Sequence, residues 1–586
     1  MPKFTQLFSK INLGTTFSQW IFLGVILLLI AAGLRLYQLT EIPAGLTWDE
    51  AAIGYNGWSV WETKRDEWLQ LAPISFTSFG DYKAPVAIYL VGIFTHIFGL
   101  NTFAVRLPFA LTAIVACAAM GWLAFEWRAA HDFFEKRRLG LSTMRENSKL
   151  AAHSFSISNY AGFIVLAISL ITFSPWHLHF SRAGFESGLA LFFVLLGLSA
   201  WYRSIRKSAI FWFISSILMF AISLYTYHSA KIVVPLIAVV LLLQASRYLL
   251  QNKKRTIIWG IVGAVFGVIL LFPLAFDSLY RGGATRFSQT SVITTDASFT
   301  FKTYTIAKNF VSHFTPNFLV LGKITNYRQG MGEWGILLPI PFIVIIGWIG
   351  VAIFNTISAV KNGRNNAASF LQSSKMIPLA LIGIGFIPSS LGIDEVPHTI
   401  RSLLALPGFI LLIVAIIEDM IEKLKASNIN IKIVGSHGET NIVVKSVIGS
   451  GFLLHVITVI AMISMYFTSF QAKSSDAFIS QYVPAMKLAH AYALGEGQPK
   501  KDKIIVSSAY GQPYIFTLFA NKISPYAYHN GILINYEFKK LDMGDFQRPN
   551  AVIFATELDE EFLAPRADYV LYGPDNSEQF KVFITK

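Results

Sequence analysis

The sequence predicts an all-α polytopic membrane protein that ends in a small α/β domain. Three observations carry this expectation. Hydrophobic residues fill 54% of the 586 positions and charged ones only 14%, far from the soluble average. Apolar runs of about 20 residues, long enough to cross a bilayer, recur along the chain. Beyond the last of them the pattern changes to short strand-like runs separated by turn residues.

The first run, Trp20 to Leu39, follows Lys3 and Lys10. Its apolar core is long and no small-x-small cleavage pattern follows, so it reads as a retained span with the amino terminus inside. The chain then emerges into a first outer loop, residues 40–104, in which Lys83 to Leu100 is apolar but short. Val105 to Trp127 ends in a loop bearing Arg128, Lys136, Arg137, Arg138, Arg145 and Lys149. That loop belongs on the cytoplasmic side, which keeps the Lys83 segment at the outer interface. Alternation continues through Tyr160–Trp176, Phe185–Trp201, Ala209–Tyr225, Ile232–Ala245 and Ile257–Phe276. A long outer loop, 277–335, precedes Ile336–Phe354, Met376–Leu391, Leu403–Ile417 and Val447–Phe467. The result is a membrane domain over 1–469 with about eleven spans. The remainder, 470–586, carries "KIIVSS", "NAVIFAT", "ADYVLYG" and "FKVFITK" around a helical-looking "QPYIFTLFAN". It is expected to form an extracytoplasmic α/β domain.

Composition also excludes several function classes. The single cysteine, Cys117, lies inside an apolar run, which rules out a disulfide framework and a cysteine metal site. The formal charge is +14, but the basic residues cluster in short loops between spans, so nucleic acid is not an expected partner.

An ionisable group in hydrocarbon costs at least ~2.5 kcal/mol on insertion scales, which makes its position informative. No Asp or Glu falls near the middle of an expected span. They gather at the outer ends, as Asp49, Glu50, Asp81, Glu186, Asp277, Asp394 and Glu395. Lys83 joins them in "GDYKAP", with His177, His179 and Arg182 in "SPWHLHFSRAGFES", His228 and Lys231 in "YTYHSAK", and His398 and Arg401 in "DEVPHTIRS". Proton-coupled carriers place carboxylates near the midplane instead. A cluster at one leaflet suits chemistry on a lipid headgroup, with cations holding a phosphate and a carboxylate activating a nucleophile. Taken singly, each residue also has a simpler reading. Lys231 fits snorkelling, Glu50 fits a helix cap, and Arg182 with Glu186 fits an i,i+4 ion pair. His177 and His179, two apart, share no face of a helix, so packing or headgroup contact suits them better than a joint metal site.

The order of motifs resembles a known family. An acidic pair in the first outer loop ("TWDEAAIGYNGW") is followed by Lys-x-Pro opening an apolar helix ("DYKAPVAIYL"), then "NTFAVRLPFAL", "FSPWHLHFSRAGFESGLALFFVLLGLSAW" and "HTIRSLLALPGFILLI". This order is similar to that of the C-type integral-membrane (GT-C) glycosyltransferases, in the branch of protein O-mannosyltransferases and lipid A aminoarabinose transferases. The resemblance spans roughly Leu34 to Ile417. It implies transfer of a sugar, with inversion, from a polyprenyl-phosphate carrier to a hydroxyl of a protein, lipid or glycan acceptor on the outer face of a bacterial plasma (inner) membrane. On this resemblance Asp49 corresponds to the catalytic carboxylate, and Glu50 is grouped with it as a catalytic residue that would support the loop or the acceptor. Lys83 would contact the carrier phosphate, and Arg182, Arg401, His228 and His398 would serve the donor's phosphate or sugar. The common Lys-Pro-Pro is Lys-Ala-Pro here, which keeps the lysine and loosens the helix start. Some members bind a divalent metal near that lysine. Asp81 and His228 are ligand types in the right region, but no spacing establishes a site and the metal stays open. An oligosaccharide ligase or polymerase acting on a lipid-linked glycan is the alternative. A flippase or transporter would need a polar path through the membrane or two matching halves, and neither is visible. A non-catalytic sugar-binding scaffold is a further reading, for which loss of the Asp49 carboxylate would be harmless.

Overall fold

Every expected span lies on a helix of the computed structural model, which describes residues 17–138, 157–280, 285–361, 374–426, 439–562 and 566–586. Arg145 and Lys149 of the expected cytoplasmic loop fall outside these residues. With short turns left unlabelled, the helices are α1 (Phe17–Leu36), α2 (Trp48–Thr63), α3 (Pro85–Phe98), α4 (Thr102–Arg138), α5 (Ala161–Thr172), α6 (Glu186–Lys207), α7 (Ile210–Leu224), α8 (Ala230–Gln251) and α9 (Lys253–Tyr280). After them come α10 (Phe299–Ser312), α11 (Pro339–Lys361), α12 (Met376–Ser390), α13 (Leu406–Ala426), α14 (Glu439–Thr468), α15 (Tyr482–Leu494) and α16 (Pro513–Asn521). Among the described residues eight helical stretches are long and apolar enough to cross a membrane, α13 doing so within a run from Thr399 to Leu424. Three expected spans, on α5, α7 and α12, sit on shorter apolar helices, as does the interfacial segment on α3.

Burial separates the bundle's centre from its rim. Within an apolar 18-residue window, 83% of the residues are buried in the Thr399–Leu424 stretch and 72% in α6, but 6% in α9. Ile261, Val268 and Phe272 on α9 lie open on the outside of the bundle. An apolar helix surface of that extent has no place in water, and its backbone groups are all satisfied within the helix. The chain is a multi-pass membrane protein.

The segment expected as the first outer loop, residues 40–104, has its own local structure. It folds into α2, a hairpin of β1 (Phe76–Ser78) and β2 (Asp81–Lys83), and α3. Helices α2 and α3 meet backbone to backbone. A Cβ on Gly57 would lie 2.7 Å from the Ile88 carbonyl oxygen, and one on Gly92 would lie 2.6 Å from that of Gly57.

The tail forms a five-stranded sheet of β3 (Lys503–Ser507), β4 (Tyr536–Lys539), β5 (Ala551–Thr556), β6 (Tyr569–Tyr572) and β7 (Glu578–Ile584), in the order β4-β3-β5-β7-β6. Strand β3 runs parallel to β4 and β5, while β7 runs antiparallel to β5 and β6. The tail docks on the first loop. The Phe519 ring of α16 approaches to 2.8 Å of the place a Cβ would take on Gly54 of α2, and one hydrophobic core runs from Ala51 and Val105 to Tyr482, Phe516 and Ile504.

A polar clamp crosses the same seam. Glu67, fully buried, accepts from Tyr514 Oη at 3.0 Å, Asn56 Nδ2 at 2.9 Å and Ser78 Oγ at 3.0 Å, and Tyr514 Oη in turn accepts from the Phe79 N–H at 2.9 Å. Burial pushes the Glu67 carboxyl up to about 7, against the lowering effect of these hydrogen bonds. The folded pKa lies above the ordinary 4.5, so the native state holds an extra proton between those values. That stabilisation is complete below 4.5 and is lost as pH rises through 7, a swing of about 3 kcal/mol. Hydrogen exchange of the α16 amides should therefore accelerate as pH is raised across this window, after correction for intrinsic exchange. Glu67→Gln should flatten the profile. A corrected wild-type rate that ignores pH here would refute the assignment.

Candidate active site

Asp49 is the second residue of α2, and the start of that helix is fixed twice over. Thr47 caps it by accepting from the Glu50 N–H at 3.2 Å, while Glu50 Oε2 accepts from the Thr47 N–H at 3.0 Å. This reciprocal pair is a capping box. Glu50 is fully buried and also accepts from Arg106 Nε at 2.8 Å and the Gly184 N–H at 2.9 Å. Arg106, from α4, donates further to the carbonyls of Leu39 at 3.1 Å and Pro43 at 2.8 Å. Of the two readings of Glu50, the geometry takes the cap. The helix's free N–H groups favour a carboxylate in its first turn, and Asp49 keeps 28% of its side chain exposed.

Lys83 reaches Asp49 from the hairpin. Phe79 (φ 41°) and Gly80 (φ 76°) form the two-residue turn between β1 and β2, the left-handed pair that suits right-twisted strands. At the end of β2, Lys83 pairs with Asp49 and lies 3.4 Å from Asp81 Oδ2, with Nζ 4.8 Å from the Phe79 ring centroid. It is 4% exposed. Ala84 takes the N-cap with extended backbone and Pro85 opens α3, where its missing N–H costs nothing.

Asp49 opens onto a cavity of about 490 Å³ at the end of the bundle that carries the tail. This size falls within the roughly 300–1,000 Å³ range of small-ligand pockets. His228, His398 and Arg401 line it, together with Lys231 and Glu186. His228 Nε2 donates to the Tyr82 carbonyl at 2.8 Å, and the His398 N–H donates to Ser389 Oγ at 2.8 Å.

Arg328, which no motif singles out, lines the cavity as well. Its guanidinium carbon lies 3.7 Å from the Trp48 ring centroid, and its Nε donates to the Ala477 carbonyl. Burial draws its pKa down, partly offset by Asp49 and Glu395. Among the described residues Lys231, Arg328 and Arg401 have no carboxylate within the 4.0 Å of an ion pair. The cavity thus brings Asp49, held by a buried lysine, together with Glu186, Glu395 and three cations that form no ion pair among the described residues.

Arg182 is not brought into this cavity. It is fully buried and donates to the carbonyls of Leu34 at 2.8 Å, Tyr37 at 2.7 Å, Gln38 at 2.9 Å and Ile42 at 3.1 Å. Carbonyls left open at the end of α1 are what it satisfies, and the i,i+4 pair with Glu186 does not form. His177 and His179 are buried too. His177 Nδ1 lies 2.8 Å from Arg35 Nη2, and His179 Nε2 donates to the Arg328 carbonyl at 3.1 Å.

Among the described residues, those near Lys83 do not bring three metal-ligand groups within reach of one another. His228 Nε2 is engaged by a carbonyl, and Asp81 accepts from Lys83 and from the Tyr82 N–H at 2.9 Å. Among the described residues one group has three ligand types in reach, His131, Asp132 and Glu135. It sits on α4, and Asp132 there is already bound by Arg128 and by Tyr160 Oη at 2.6 Å.

The adjacent acids should respond differently to substitution. Glu50→Ala leaves Arg106 buried without its counter-charge and should cost about 3–5 kcal/mol. Asp49→Asn should melt near wild type. Thermal unfolding in detergent compares them, and equal melting of Glu50→Ala and wild type would contradict the structural role.

No protein-family model matches the sequence, and no curated protein matches it. Among solved structures, the chain is similar to ArnT from Cupriavidus metallidurans bound to undecaprenyl phosphate, with a TM-score of 0.47 and 12% identity over 96% of this chain and 97% of that one. It is also similar to the oligosaccharyltransferase AglB from Archaeoglobus fulgidus in complex with an inhibitory peptide and a dolichol-phosphate, with a TM-score of 0.45 and 11% identity over 97% of this chain and 74% of that one. A complex of the Archaeoglobus fulgidus oligosaccharyltransferase with Zn and sulfate gives a TM-score of 0.42 and 12% identity over 96% of this chain and 73% of that one.

Proposed function

We propose that the protein transfers a hexose or pentose from a polyprenyl-phosphate carrier to an acceptor hydroxyl, with inversion, at the outer face of the membrane. The supporting observation is the cavity itself, in which Asp49, paired with Lys83, shares walls with Lys231, Arg328 and Arg401. In the transfer, the acceptor oxygen attacks the anomeric carbon and its proton passes to the Asp49 carboxylate. The bond from that carbon to the phosphate oxygen breaks, and the electron pair leaves on the phosphate. One base and a set of cations suffice for a single displacement, without the second carboxylate a covalent intermediate needs. Lys83 acts here by holding Asp49 in place, since its own charge is taken by two carboxylates. Glu50 and Arg182 support the site from within the fold.

Orientation follows from charge. The opposite end of the bundle carries Arg203, Arg206, Lys207, Arg247, Lys253, Lys254 and Arg255, which supports a cytoplasmic assignment for that end and for the amino terminus. The cavity and the C-terminal domain, residues 470–586, are then extracytoplasmic, above a membrane domain of residues 1–469.

The test uses purified protein in lipid with radiolabelled polyprenyl-phosphate sugars, mannose and pentose in parallel, and an envelope fraction as acceptor. Wild type should move label to acceptor. Asp49→Asn should be slower by about 10²–10⁴-fold, the usual contribution of a general base. Equal transfer by the two proteins would remove Asp49 from the chemistry. Binding of the carrier without transfer by either would favour a ligase that needs a larger glycan donor.

A further inference from the structure

Trp48 is where the long outer loop and the tail domain both reach the helix of Asp49. It opens α2, one residue before Asp49. The guanidinium of Arg328 lies over its ring at 3.7 Å, well within the roughly 6 Å over which a cation and an aromatic face attract. The tail reaches the same indole through Gly511. This residue sits at φ +82°, and a Cβ built on it would lie 3.5 Å from the Trp48 ring. Gly511 is held in turn by Tyr482 Oη, which donates to its carbonyl at 2.8 Å.

Arg328 is fixed at every point but its tip. Its N–H donates to Asn326 Oδ1 at 3.1 Å, its carbonyl accepts from His179 Nε2, and its Nε donates to the carbonyl of Ala477 at the foot of the tail domain. The guanidinium carbon lies over the Trp48 ring, 3.7 Å from its centroid. Its two terminal nitrogens make no hydrogen bond or ion pair among the described residues, and the residue lines the cavity that Asp49 lines. A planar, pre-aimed pair of N–H donors matches two oxygens of a phosphate, which an ammonium on a flexible stem does not.

We infer that Arg328 is a phosphate-binding residue of the transferase, aimed by Trp48 and by the tail domain through Ala477 and Gly511. The inference rests on the transferase reading above and adds to it a working part for the C-terminal domain. The non-bridging oxygens of the leaving phosphate meet the terminal nitrogens of Arg328 as the bridging oxygen takes up the electron pair. Trp48 is the positioning residue, acting through its contact with the guanidinium.

The experiment measures binding of polyprenyl monophosphate, and of the corresponding polyprenol, to the full chain in nanodiscs. Removing one charged hydrogen-bonding group should weaken the phosphate by about tenfold to a hundredfold, so R328Q should lose that much for the phosphate and nothing for the polyprenol. R328K keeps the charge but loses the stacked fork, and should also bind the phosphate less well than wild type. W48F retains a ring and should stay near wild type, whereas W48A should fall with R328Q. Phosphate binding by R328Q equal to wild type would overturn the inference alone. Wild type that does not distinguish phosphate from polyprenol would overturn the transferase reading and this inference with it. Thermal unfolding accompanies each variant. If W48A or R328Q fails to fold, R328K decides: binding weaker than wild type supports the role, and equal binding overturns it.

Discussion

The buried pair of Glu50 and Arg106 is the constraint on which the cavity end of the molecule rests. The two side chains are fully enclosed, and they bind the first turn of α2, the loop after α1 and the Gly184 N–H just ahead of α6. A buried ion pair adds little stability beyond what an apolar substitute would give, yet breaking it is costly. Its value here is geometric. With Glu50 turned into the protein and fully bonded, the start of α2 has one position, and the neighbouring Asp49 is carried to the cavity wall.

A division among the basic residues follows. Arg35, Arg106 and Arg182 are spent inside the protein on carbonyls, a histidine or Glu50, and Lys83 is spent on Asp49 and Asp81. The opposite end of the bundle shows the same economy, with Arg203 and Arg206 on Glu126 and Arg128 on Glu418. Lys231, Arg328 and Arg401 line the cavity and form no ion pair among the described residues. The difference between the two sets of cations lies in their partners, which only three dimensions reveal.

This explains what the sequence could and could not tell. The spans were legible because a run of apolar residues has few other fates in a chain this hydrophobic. Asp49 stood out because a carboxylate pair beside a membrane exit is rare. Glu50 was ambiguous because a cap and a catalytic acid share one local pattern, and its partner lies 56 residues away. Arg182 resembled a headgroup ligand because nothing local announces that four carbonyls of a distant turn will surround it. Arg328 was invisible for the same reason. Its meaning depends on Trp48, on Ala477 and on a tail that packs against α2, all long-range relations without a periodic signature.

The contact between Gly57 and Gly92 bears on how the cavity changes over evolutionary time. Where two backbones touch at these distances, neither position accepts a side chain, and α2 and α3 act as a single block that bears Asp49 at the start of α2 and follows directly on Lys83 at the start of α3. That wall is closed to diversification. The facing wall is built from loops joined by side-chain bonds, Glu395 with Asn326 and Gln329 and the Gln329 carbonyl with Thr399, and such links can be exchanged one at a time. A change in what the cavity admits therefore has its raw material in those loops, while the block opposite stays fixed.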